Sequence, residues 1–88
     1  MRDAAFWRES VLRMAKTRGP KKSLCPSEIA RKAVPEDWRA YMEAVRAAAR
    51  ELADAGAIEF LQGGQPVDPQ TARGAIRLRI REAGNLAD

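Results

Sequence analysis

The stretch that decides the fold runs from Trp38 to Gly64, WRAYMEAVRAAARELADAGAIEFLQGG. Trp38, Met42, Val45, Ala49 and Leu52 recur at alternating spacings of four and three, the period of a helix with one buried face. Pro35 suits a first helical position, and Glu36 and Asp37 follow where the helix dipole favours acids, so a helix is expected over residues 35–54. Gly56 supplies the residue that ends it. Beyond Gly56 the period falls to two: Ile58 and Phe60 alternate with Glu59 and Leu61 until Gly63-Gly64 breaks the strand.

Working outward toward the N-terminus, Trp7, Val11 and Met14 form a stripe widened by Phe6, Leu12 and Ala15. Asp3 is the expected N-cap, and Gly19-Pro20 the stop. A second, short helix opens at Pro26 with Glu28 in its first turn. Either Cys25 or Ser27 serves as its cap, and Val34-Pro35 closes it. Ser23-Leu24 offers one short strand between these helices. Toward the C-terminus a second alternating run has Ile76, Leu78 and Ile80 on one face and Arg77, Arg79 and Arg81 on the other. Residues 65–74 read as a long loop in which Asp68-Pro69 caps a single helical turn. The expected core is Phe6, Val11, Leu12, Ile29, Met42, Val45, Leu52, Ile58, Phe60, Ile76 and Leu78.

Three helices followed by an antiparallel hairpin make an α+β chain of the winged helix-turn-helix class, with a two- to three-stranded wing. The expected organisation is a single domain over residues 1–82 and a loose tail over 83–88.

Composition agrees with one small domain. The 88 residues include 45% apolar types, yet Ala supplies 17 of those 40 residues and leaves a modest set of large core side chains. Periodic apolar residues argue against disorder. No run approaching about 18 residues is free of charge, so no membrane span is expected. Arg8 and Glu9 interrupt what a signal peptide would need as an apolar run, and Cys25 has no partner for a disulfide. Both point to a cytoplasmic setting. Without histidine, nucleophile–base pairs of the Ser-His or Cys-His type cannot be assembled, and most zinc sites lose their ligands. No phosphate-binding glycine loop is present. The expectation is a non-enzyme with neither cofactor nor metal. Cys25, at a helix start, is expected to be structural.

Several blocks together resemble one family. They are Arg18-Gly19-Pro20, the run Lys22-Ser23-Leu24-Cys25-Pro26-Ser27-Glu28-Ile29-Ala30-Arg31, and Glu36-Asp37-Trp38-Arg39 with Met42 and Val45-Arg46. To these are added Gln62-Gly63, Val67-Asp68-Pro69, and Gly74 followed by Ile76-Arg77-Leu78-Arg79. They resemble the bacterial domain of unknown function 3253, a family of short proteins with winged-helix architecture, over most of residues 10–80. Ala75 departs from the proline that follows the glycine in the family pattern. The resemblance implies the fold and a bacterial origin, and it implies no activity or ligand.

The sixteen Lys and Arg residues exceed the twelve acids by four, and they are unevenly spread. On a helical wheel Arg39, Arg46 and Arg50 cluster on one flank of the third helix, and Asp37 and Glu51 lie on the other. Arg39-Glu43, Glu43-Arg46 and Arg50-Asp54 are also spaced as ion pairs within the helix. Lys16, Arg18, Lys21 and Lys22 form an acid-free run, and Arg73 and Arg77 with Arg79 form another in the wing. Same-face strand residues are spaced like phosphates along one DNA strand. The sequence therefore nominates Lys21, Lys22, Arg39, Arg46, Arg73, Arg77 and Arg79 as contacts to duplex DNA. Glu36 and Asp37, at the end that a reading helix presents to the duplex, argue the other way. The alternative is a protein-interaction module, as a homodimer or with a protein partner, using the wing or Leu61.

Overall fold

The computed structural model describes residues 2–81. Its elements are α1 (Ala4–Arg18), α2 (Pro26–Ala33), a 3₁₀ turn (Trp38–Tyr41), α3 (Met42–Asp54), β1 (Ile58–Gln62), β2 (Gln65–Val67) and β3 (Arg77–Ile80). This is a winged-helix-like α+β arrangement of three helices and an open three-stranded antiparallel sheet. The tail over 83–88 lies outside the described residues.

Local chemistry sets most boundaries. The Asp3 carboxylate accepts from the Phe6 N–H at 3.0 Å and caps α1. The Cys25 N–H donates to the Glu28 carboxylate at 2.8 Å, which fixes the start of α2 at Pro26. One expectation fails: the third helix does not run unbroken from Pro35. Residues 35–37 form turns, and Trp38–Tyr41 winds as 3₁₀ before α3 begins. The 3₁₀ pitch lines up residues three apart. Trp38 and Tyr41 thereby share a face, and the Tyr41 ring centroid lies 5.5 Å from that of Trp7. A wheel drawn continuously from Pro35 consequently misplaces Arg39.

The core lies where α1, α2 and α3 meet the inner face of the sheet. Trp7, Val11 and Ala15 of α1 are fully buried, as are Val45, Ala48 and Ala49 of α3, Leu24, Ile29, Ile58, Phe60, Ile76 and Leu78. The alanine-rich middle of α3 is thus a packing surface, with Ala48 and Ala49 letting α1 approach closely. Of the expected core, Phe6, Leu12, Met42 and Leu52 are only half-buried and pack around its margin. Trp7 fills the centre instead, its indole N–H buried without a protein hydrogen-bond partner.

The sheet has the order β2-β1-β3, and Leu24 adds a bridge to Leu78 through backbone bonds of 2.8 Å in both directions. The expected short strand at Ser23-Leu24 is therefore this single bridge. Phe60 faces Leu78 and Ile58 faces Ile80 on the inner side; Glu59 faces Arg79 and Leu61 faces Arg77 on the outer. The segment expected to be wholly loop begins with β2, an edge strand joined to β1 by Gly63-Gly64 at φ 57° and 80°. Those paired positive φ angles are the two-residue hairpin geometry that glycine adopts without strain. Pro66 is tolerated because β2 is an edge.

From β2 the chain crosses to the far side of β1 through a turn at Asp68. The Asp68 carboxylate accepts from the Gln70 N–H at 2.9 Å, and its carbonyl from Ala72 at 2.9 Å. Val67 and Ala72 tuck against the core, and Gln70 Nε2 donates to the Asp54 carboxylate of α3 at 2.7 Å. The wing connection thus carries the expected Asp68-capped turn, and it is docked onto α3. Among the described residues, no helix is long and apolar enough to cross a membrane.

Candidate nucleic-acid interface

The nominated cations fall into three situations. Some are bound up in the fold. Arg79 directs both Nε (2.9 Å) and Nη2 (2.7 Å) at one carboxylate oxygen of Glu59, its partner on the outer sheet face. Both side chains are about two-thirds or more shielded, so this cross-strand pair neutralises the middle of the predicted arginine ladder. Arg77 donates from Nε to Ser23 Oγ at 2.7 Å and from Nη2 to the Ser23 carbonyl at 3.1 Å, and stands 4.0 Å from Glu28. It remains half-exposed, with its geometry fixed.

Glu28 is the centre of this corner. It accepts from Arg18 Nη2 at 2.6 Å and from the Cys25 N–H. The Arg18 hydrogen bond first, then the Cys25 N–H, hold the Glu28 carboxyl below its ordinary value of 4.5, against a smaller opposing push from burial. The run expected to be acid-free therefore meets an acid in space, supplied by α2. Lys21 and Lys22, in the connection beside this corner, are exposed.

Arg39 is exposed and lies over the Trp38 ring, 4.4 Å from the centroid, and Arg31 from α2 lies 4.3 Å from the same centroid. Trp38 is half-buried and packed on the core margin, a cation-clad inter-helix residue. The side chains of Glu36 and Asp37 are exposed in the turn before it.

Arg46 and Arg73 form the third situation. Arg46 Nη2 points at the Gly74 carbonyl, at a long 3.4 Å, so its guanidinium lies beside the Gly74–Ala75 peptide, one residue beyond Arg73. Arg73 itself is exposed, and its backbone carbonyl is held by the Gln62 side-chain amide. The opposite flank of α3 faces α1, where Arg8 Nη1 meets Glu51 at 3.1 Å. The basic flank of α3 thus adjoins the β2–β3 connection, and one acid of the other flank is neutralised. The three intrahelical ion pairs expected on this helix do not form among the described residues; its charges turn to tertiary partners.

Gly74 and Arg77 are three residues apart, at most about 11 Å of chain. That short segment links the Arg46–Arg73 pair to the Arg77–Ser23 corner and to Lys21 and Lys22. Sequence reasoning missed the roles of Glu59, Glu28 and Ser23. The register Glu59↔Arg79 could have been found by pairing the two alternating runs, whereas the approach of Ser23 and Glu28 to Arg77 depends on tertiary packing. Leu61, nominated for an interface, is buried at 4% exposure. Val67 tucks under the hairpin. Among the described residues, no three His, Cys, Asp or Glu side chains are grouped as a metal site would require.

A comparison with curated proteins gave no match. The family model described as "Protein of unknown function (DUF3253)" matches residues 4–81, nearly the whole chain, and the protein belongs to that family.

Proposed function

We propose that the domain binds duplex DNA without strong sequence preference, through a basic band made by Lys21, Lys22, Arg46 and Arg73, with Arg77 between them and Arg39 at the start of the third helical segment. The observation that supports this most is the division of α3. Glu51 is paired with Arg8 of α1, whereas Arg46 lies at Gly74 beside the exposed Arg73. The outward residues Ala40, Ala44 and Ala47 are small, which suits close approach of a phosphate backbone. Phosphate contacts position a protein on the duplex, and base contacts would be needed for specificity. Glu43 on the exposed face of α3 weighs against extensive base reading. Arg79, neutralised by Glu59, has a structural role in this reading, and no catalytic step is assigned. The setting proposed is the bacterial cytoplasm.

The competing use, a protein-interaction module or homodimer built on the wing, loses its apolar anchor because Leu61 is buried. Binding to random duplex DNA followed across salt concentration tests the proposal. A log–log slope of about −3 to −5 is expected, and absence of binding at about 50 mM salt, or a flat salt dependence, overturns it.

A further inference from the structure

A groove runs between α1 and α2, and Lys22 is the one residue it shares with the basic band proposed above. One end is an apolar hollow of about 200 Å³ with Phe6, Met14, Ile29 and Ala33 in its lining. The other is a wider cleft of about 470 Å³ lined by Thr17, Arg18 and Lys22 as well as by Met14. Arg13 and Lys32 border both parts. The lining thus carries four cations and no carboxylate. Arg18 is committed to Glu28, and Arg13 has only a long, exposed contact of 3.5 Å with Glu9. Lys22 and Lys32 have no ion-pair partner among the described residues.

We infer that this groove docks an acidic, amphipathic helical segment of a partner protein, with apolar side chains in the Phe6–Met14–Ile29–Ala33 hollow and carboxylates against Arg13, Lys32 and Lys22. Three features select that occupant. The floor is apolar and includes a methionine, a side chain that adapts to varied apolar partners. Cations stand at the rim, where they steer and orient a negatively charged partner. From Phe6 to Arg18 the groove follows roughly 18 Å of helix axis, the length of about three helical turns, so leucines at i, i+3, i+4 and i+7 would reach the floor. A nucleic acid would satisfy the cations and leave the apolar hollow unfilled. The inference does not depend on DNA binding: apart from Lys22 the groove shares no residue with that band, no residue of α3 or of the sheet lines it, and its test turns on Arg13 and Lys32.

The test uses the isotope-labelled full chain and three synthetic twelve-residue peptides. One has leucines at the four helical positions with glutamates between them, one replaces those glutamates by lysines, and one is all glutamate. The leucine–glutamate peptide should shift the amide signals of residues 13–18 and 29–33, and bind at least about tenfold more tightly than either control. The double charge reversal Arg13→Glu with Lys32→Glu, at two exposed positions, should weaken that peptide by about tenfold or more and leave the native spectrum elsewhere unchanged. No shift at about 1 mM peptide, shifts confined to α3 and the sheet, or equal binding of the all-glutamate peptide would each overturn the inference. A DNA duplex that shifts the groove amides while the leucine–glutamate peptide does not would assign the groove to nucleic acid and overturn it too. Loss of DNA binding at the α3–wing band with peptide binding intact would affect only the function proposed above.

Discussion

Arg77 and Ser23, 54 residues apart, are joined side chain to side chain at 2.7 Å, with a second bond from Arg77 to the Ser23 carbonyl. Beside them, Leu24 and Leu78 exchange both backbone bonds. The helical connection and the last strand are thereby joined, and Arg77 is held against the connection that carries Lys21 and Lys22. An arginine held this way positions its charge with less rotamer entropy left to lose on binding.

Stability and binding should separate between Arg79 and Arg73. Arg79→Ala strips Glu59 of its partner and should lower stability by about 0–1 kcal/mol, the range for a partly exposed pair, without changing the salt slope of DNA binding. Arg73→Ala should leave the unfolding midpoint unchanged and reduce the slope by about 1. Chemical denaturation and salt-titrated binding on both variants check this; the reverse assignment would refute the band.

The bridge strand should matter more than the margin of the core. Leu24 is fully buried, so Leu24→Ala should cost roughly 2–5 kcal/mol. Leu52 sits at the half-buried edge, so Leu52→Ala should cost clearly less. Urea midpoints at constant slope measure both. Equal losses would mean that Leu52 is as central as its helical spacing alone suggests.

At the β1–β2 turn, Gly64 has φ 80° and open space where a side chain would begin. The cost of Gly64→Ala is therefore conformational, roughly 1–2 kcal/mol, with no steric part. Gly63→Asn should be far milder, since asparagine suits the first position of this turn. A thermal midpoint for Gly64→Ala equal to that of the native chain would contradict the turn geometry.

Glu28 links stability to pH. Its folded carboxyl titrates below the ordinary 4.5, so its contribution is complete above that value and is lost as pH falls from 4.5 through the lowered folded value. The native chain should accordingly exceed Glu28→Gln in thermal midpoint at neutral pH, with the gap closing on acidification below 4.5. A gap that stays constant across that window would show that Arg18 and the Cys25 N–H do not favour the charged form.

Much of this fold is legible in one dimension because its signals are local. Asp3, Pro26 with Glu28, Gly56 and Gly63-Gly64 mark element ends through bonds and φ values that involve residues at most a few positions away. The change of period after Gly56 identifies a helix followed by strands. Tertiary packing decided the rest. Trp38 and Tyr41 share a face of a 3₁₀ turn, which breaks the helix that Pro35 and the apolar spacing predict. Trp7 became the centre of the core and Leu52 its edge, because burial depends on what the neighbouring elements cover as well as on the face a residue occupies. Charge was the least legible property. The sequence shows acid-free runs, but Glu59 reaches Arg79 across a strand and Glu28 reaches Arg18 and Arg77 across a helix connection. Electrostatic partners are selected by distance in space, and one-dimensional spacing records only those on the same element. The sequence by itself therefore determined the three helices and the strands β1 and β3 in their order, without the β2 edge strand or the 3₁₀ break; only the tertiary structure decided which cations remain outward, because that depends on which carboxylates the fold brings within reach.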